Sequence, residues 1–107
     1  MKALIVSRLG FSERIIEKLK ESGIKEFVDY FKHYKEYKGT DDIVKAVKNL
    51  NCDSTIIVSN FYTALTLLAN GIKIVFVIVP KHHGLTEIIS ADVYEVRGNV
   101  SVLNYKI

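Results

Sequence analysis

The chain has 107 residues, is 49% hydrophobic and 25% charged, and carries a formal net charge of +3. Those values fit one compact domain over residues 1–107 with a modest core, and they leave no room for a second. A membrane span is excluded on the same grounds: its longest strongly apolar run, residues 72–79, contains Lys73 and stops at Pro80, well short of the roughly 18–20 apolar residues a spanning helix needs.

At the N-terminus, "MKALIVSRLG" turns polar at Ser7-Arg8, too early for a secretion signal, so a cytoplasmic location is expected. One cysteine, Cys52, excludes an internal disulfide framework and agrees with a reducing compartment. A composition rich in Lys, Glu and Ile, without Gln or Trp, is of the kind found in thermophilic sources.

Residues 2–7, "KALIVS", form an apolar run of strand length, followed by a loop, "RLG". Ser12 and Glu13 read as an N-cap and acidic first turn, Ile15, Ile16 and Leu19 as one apolar helical face, and Gly23 as the stop. "EFVDYF" predicts a second, less apolar strand near an edge. The following "KHYKEYK" interleaves Lys32, Lys35 and Lys38 with Tyr34 and Tyr37. Such a pattern suits RNA binding by phosphate contact and stacking, but a solvated connection with tyrosines packed on the fold is the favoured reading.

Thr40-Asp41-Asp42 starts a second helix, with Ile43, Val44, Val47 and Leu50 on its buried face. Residues 54–58 predict a third strand, residues 61–70 a third helix stopped by Gly71, and "IKIVFVIV" a fourth strand covered on both faces. "EIISADVYEV" and "VSVLNYKI" flank a predicted Gly98-Asn99 turn and form a C-terminal antiparallel hairpin.

Three β-α units, a fourth strand and a hairpin predict an α/β fold. The expected form is a three-layer Rossmann-like sheet of parallel strands in the order 2-1-3-4, the hairpin extending the strand-four side. Strands one and three are then neighbours whose helices leave to opposite faces, which is where open α/β sheets bind ligands. Ser7 and Arg8 stand at the end of strand one and Ser59 and Asn60 at the end of strand three. "PKHHG", with Lys81, His82 and His83, is expected as the loop after strand four, bringing all these groups to one crevice.

No Asp or Glu stands at the end of strand one, three or four, so the carboxylate cluster of magnesium-dependent phosphoryl enzymes is missing. The turn "SRLGFSER" is neither a dinucleotide fingerprint nor a Walker A loop. His82-His83 has no further His or Cys at ligand spacing. No metal or other cofactor is therefore expected. What remains is cationic and hydroxyl-bearing, and with two helix N-termini it favours an anionic ligand, Arg8 gripping a phosphate. Taken singly, Asn60 reads first as a helix N-cap, and Ser7 and Ser59 read also as residues bonding their own turns. RNA phosphodiesters can be cut without metal when the ribose 2′-hydroxyl attacks the adjacent phosphate, leaving a 2′,3′-cyclic phosphate. The protein then needs only to align the groups and stabilise charge.

The stretches "LIVSRLGFSERIIEKLKESG", "VDYFKHY", "STIIVSNFYTALTLLANGIKI" and "VIVPKHHGLTE" resemble, in order and spacing, the small stand-alone CRISPR-associated ring nucleases of type III systems, Rossmann-like proteins related to the CARF domain. The resemblance implies a homodimer whose two crevices form one pocket for cyclic oligoadenylate, most often the four-membered ring, cleaved without metal to end antiviral signalling. Ser7 and Arg8 match the family's "VSR", and His33 matches its His after strand two. The chain departs from the family at Leu9-Gly10, where His-Pro is expected. It departs again at His83-Gly84-Leu85-Thr86-Glu87, where Arg-Gly and an acid are expected, leaving His83 as a stand-in for the Arg.

The expected function is therefore a homodimeric, metal-independent ring nuclease. Arg8 and Lys81 would hold phosphates, Ser7, Ser59 and Asn60 would position the ring, and Arg8, His82 and His83 would serve catalysis. The hairpin or the apolar third helix would supply the dimer contact. The alternatives are a sensor or sink that binds an anionic nucleotide without cutting it, and a small RNA-binding module using Lys32, Lys35 and Lys38. No DNA or membrane partner is expected.

Overall fold

The computed structural model describes residues 1–98 with side chains and residues 100–106 as backbone. The chain folds into a mixed α/β architecture around one seven-stranded sheet. The strands are β1 (Lys2–Val6), β2 (Gly10–Phe11), β3 (Glu26–Asp29), β4 (Ser54–Val58), β5 (Ile74–His83), β6 (Glu87–Arg97) and β7 (Val100–Lys106). The helices are α1 (Glu13–Glu21), α2 (Tyr30–His33), α3 (Thr40–Asn49) and α4 (Phe61–Ala69). The strand order is β2-β6-β5-β4-β1-β3, with β7 also on β6. Pairing is parallel from β3 through β1 and β4 to β5, and antiparallel from β5 to β6 and from β6 to β7.

The near-continuous apolar strands are covered on both sides, as their sequences require. On one face Ile15 and Leu19 of α1 pack with Ala3, Ile56, Phe76 and Ile78. On the other, Ile43 and Ala46 of α3 and Ala64 and Leu67 of α4 pack with Leu4, Ile57, Val75 and Val77. Each of these three helices ends on a residue in the left-handed region, Gly23, Asn51 and Gly71. The next N–H then reaches back to the last turn, as Ile72 does to the Leu67 carbonyl at 3.1 Å.

Four local expectations are corrected. The loop "RLG" runs on into β2, whose Gly10 and Phe11 pair with Glu87 and Ile88 of β6. The second strand stops at Asp29, because the Asp29 carboxylate accepts a hydrogen bond from the Phe31 N–H at 3.0 Å and starts the helical turn α2. Ser12 stands at the N-cap of α1 but does not cap it; its hydroxyl donates to the Ile89 carbonyl at 2.9 Å.

The largest correction concerns "PKHHG", which is no loop after a fourth strand. β5 continues through Pro80 to His83 and forms a long hairpin with β6, with irregular register around Lys81 and His82. Val58, the last residue of β4, pairs with Ile78, so Pro80 lies where β5 has a neighbour on one side only and a missing N–H is tolerated. The hairpin overhangs the sheet as an arm whose tip, residues 81–87, is exposed. In the predicted Gly98-Asn99 turn, Asn99 lies outside the described residues.

Candidate functional site

β1 is followed by α1 on one face of the sheet and β4 by α4 on the other, so a gap opens between the carboxyl ends of these adjacent strands. Two hollows occupy it, sharing Val6, Tyr37 and Val58 as a common wall. The larger, about 340 Å³, is also lined by Ser7, Arg8, Leu9, Phe31 and Ile88. The smaller, about 170 Å³, reaches Asn60 and Thr63 at the start of α4. Together they form one cleft, apolar over most of its wall.

Arg8 is its charged group. The guanidinium lies 4.2 Å from the Phe31 ring centroid, a cation–π contact that fixes it over one face. Among the described residues no carboxylate lies within salt-bridge distance of Arg8. Arg8 is exposed, so its N–H edges face solvent and are open to an external anion. Ser7 is committed to its own turn: its hydroxyl donates to the Leu9 carbonyl at 2.7 Å and accepts from the Leu9 N–H at 3.2 Å. Asn60 caps α4, its carbonyl oxygen accepting from the Thr63 N–H at 2.9 Å.

Of the residues singled out in the sequence, Ser7, Arg8 and Asn60 line the cleft. Ser59 does not; it adopts φ +58°, its N–H donates to the Ile78 carbonyl at 2.8 Å, and it supplies the sharp reversal that sets Asn60 at the helix start. Lys81 is on the arm, 3.1 Å from the Asp92 carboxylate. His82 and His83 are exposed on the same arm and line neither hollow. His33 lies elsewhere, beside the edge strand β3 in an open depression of about 480 Å³ that shares no residue with the cleft.

Sequence reasoning missed Phe31, and it set Tyr37 in the "KHYKEYK" surface pattern and not at the cleft. Both follow from α2, which gathers Tyr30, Phe31, Tyr34 and Tyr37 into one cluster with Tyr30, 2% exposed, at its centre. The Tyr30 hydroxyl donates to the Glu36 carbonyl at 2.6 Å and ties down the connection to α3. Burial, followed by the nearby Asp42 carboxylate, raises the pKa of both Tyr30 and Tyr37, so both phenols stay protonated at neutral pH. Helical spacing offers no signal for Phe31 and Tyr37, because α2 ends at His33, Tyr34 is extended and Tyr37 lies beyond the turn. With Tyr30 buried and Tyr34 packed against it, Tyr37 is the ring of "KHYKEYK" with an open face.

One further surface borders the site. Phe61, Tyr62 and Leu65 project from α4 at 38%, 80% and 54% exposure, an apolar face on the helix whose cap lines the cleft. Among the described residues, no three His, Cys, Asp or Glu side chains gather as a metal site, and no helix is long and apolar enough to cross a membrane. No protein-family model matches the chain, and searches of curated proteins and of solved structures find no match to it.

Proposed function

We propose that the cleft between β1 and β4 binds an anionic nucleotide, with cyclic oligoadenylate as the ligand, and that the protein is a homodimeric, metal-independent ring nuclease. The observation that carries the binding half is Arg8, a guanidinium with no carboxylate partner among the described residues, at the mouth of an apolar, aromatic-walled cleft. A phosphate supplies the missing anion and a nucleobase suits the walls. The parallel run β3-β1-β4-β5 with helices on both faces supports a three-layer, Rossmann-like classification. The resemblance of "LIVSR" and the segments after it to the ring nucleases supports the ligand class. At about 340 Å³ and 170 Å³ the hollows are small for a four-nucleotide ring, which supports a pocket completed by a second copy. The apolar face of α4 beside the cleft is the surface proposed for that contact.

Capture without cleavage is the second reading, and the position of Lys81, His82 and His83 favours it. None of the three lines the cleft, so a single protomer holds no histidine next to the bound phosphates. Incubation with cyclic tetra-adenylate in EDTA, with chromatography of the products and a parallel titration, separates the readings. Linear products ending in a 2′,3′-cyclic phosphate support the nuclease, and tight binding without products supports the sink. No binding removes both.

A further inference from the structure

We infer that Tyr37 is the base-stacking platform of the cleft, so that the site selects ligands carrying a planar nucleobase beside their phosphate over phosphate or sugar phosphate alone. The inference rests on the nucleotide reading above and assigns the part of the site that reading leaves open.

Tyr37 belongs to the wall shared by both hollows, one of which is lined by Arg8 and the other by Asn60. It keeps 38% of its surface open, whereas the other rings of the cluster are engaged: Tyr30 is buried, Tyr34 stacks on Tyr30 with centroids 5.0 Å apart, and Phe31 carries the Arg8 guanidinium. Phe61 and Tyr62 are exposed but line neither hollow. Of the aromatic side chains at the cleft, Tyr37 is therefore the one with a face to offer.

The ring is also held in place before any ligand arrives. It meets Tyr30 in a T-shaped contact, at a centroid distance of 5.9 Å and an interplanar angle of 86°. The chain on either side is pinned, by the Tyr30 hydroxyl on the Glu36 carbonyl and by the Lys38 N–H on the Asp42 carboxylate at 2.7 Å. A fixed ring loses little freedom when a base stacks on it, so most of the contact energy appears as affinity. Stacking does not depend on a pattern of donors and acceptors. Tyr37 thus confers a requirement for a base and little preference among bases.

The test is calorimetric titration with AMP and with ribose 5-phosphate, on the wild type and on Tyr37→Ala, Tyr37→Leu, Tyr37→Phe and Arg8→Ala. The wild type is expected to bind AMP more tightly than ribose 5-phosphate. Tyr37→Ala is expected to weaken AMP by roughly 5- to 150-fold, the range for loss of one base–aromatic stack, and to leave ribose 5-phosphate unchanged. Tyr37→Leu keeps apolar bulk against Tyr30 and should lose the same preference, while Tyr37→Phe should keep it. Arg8→Ala should weaken both ligands. Equal loss of both ligands in Tyr37→Ala and Tyr37→Leu, or no loss in either, overturns the role of Tyr37 while the nucleotide site stands. Wild-type protein that binds neither AMP nor cyclic tetra-adenylate overturns the nucleotide reading, and this inference with it.

Discussion

Substitution of Asn60 separates what the residue does for the fold from what it does for a ligand. Its carbonyl oxygen satisfies the Thr63 N–H, one of the four donors left open at the start of α4. Asn60→Ala removes that acceptor, and because the position is exposed, water replaces part of the bond; the expected loss is about 1 kcal/mol. In a domain of this size that lowers the melting temperature by about 4 °C. Asn60→Asp keeps the acceptor and adds a negative charge at a helix N-terminus, worth about 0.3–1 kcal/mol of added stability. The same charge opposes a phosphate in the cleft. At a separation of about 6 Å and an effective dielectric between about 20 and 80, the repulsion is about 0.7–2.8 kcal/mol, or roughly 3- to 100-fold in affinity. Thermal melts by circular dichroism and titration with cyclic tetra-adenylate read the two effects separately. Asn60→Asp is expected to melt at or above the wild type and to bind more weakly. An Asn60→Asp protein that binds as tightly as the wild type refutes the placement of a phosphate near the start of α4, and an unchanged melt for Asn60→Ala refutes the cap.

Ser59 acts through its backbone, so Ser59→Gly is expected to keep both stability and ligand affinity. Ser59→Val, a β-branched residue forced to φ +58°, should lose about 1–2 kcal/mol in a denaturant titration; equal stability of the two variants would count against this account. Tyr30 has a folded-state pKa above its ordinary value of 10.0, which means that the protonated phenol is favoured by folding. Its contribution is complete below pH 10 and is lost as pH rises through the folded value, so stability should fall above about pH 10 and fall less steeply in Tyr30→Phe, as followed by urea titrations across that range. Tyr30→Phe should also lose about 1 kcal/mol at neutral pH with the hydrogen bond to Glu36. Tyr62→Glu with Leu65→Glu places two charges on the exposed face of α4 and should leave the melt nearly unchanged while converting a dimer to a monomer in sedimentation velocity. A monomeric wild type, or a dimer that survives both charges, removes α4 as the contact.

The main strands and the three long helices were legible because burial imposes a period on them. Ile15 and Leu19 carry that period in their own residues, as does Ile43 with the half-buried Val44, Val47 and Leu50, although Ala46, fully buried beside them, was not on the expected face; β4 and β5 show it instead as unbroken apolar runs covered on both sides. The misread segments are those where one contact outweighs the local pattern. β2 has two residues and exists because β6 passes beside it. "DYF" has the β-propensity of a strand, yet one hydrogen bond from the Phe31 N–H to Asp29 turns it into α2. Pro80 reads as a stop only if a strand is assumed to have neighbours on both sides, and here β4 has already ended. The candidate site divides in the same way. Ser7, Arg8 and Asn60 could be named because they sit at strand ends fixed by the periodic elements. Phe31 could not, and Tyr37 could be named only as part of the "KHYKEYK" pattern, because their place at the cleft depends on the four-residue turn of α2.

That division bears on what the cleft does. Its binding features are built on well-buried elements: Arg8 follows the central strand β1, Phe31 sits on a turn capped by Asp29, and Tyr37 is tied to the buried Tyr30. The groups suited to proton transfer, His82 and His83, are on the exposed arm, and Lys81 beside them is paired with Asp92. The groups proposed to hold one base and its phosphate therefore all lie in one protomer's cleft, with a second copy completing the pocket for the ring, whereas histidine-assisted cleavage also requires an arm to approach a cleft that it does not line. If the arm comes from a second copy, turnover per protomer rises with protein concentration and falls when the exposed face of α4 is charged. Cleavage driven only by the ligand's own aligned 2′-hydroxyl survives replacement of both histidines. The rate of a His82→Ala, His83→Ala double variant therefore distinguishes a cleft that cuts by positioning alone from one that needs an arm.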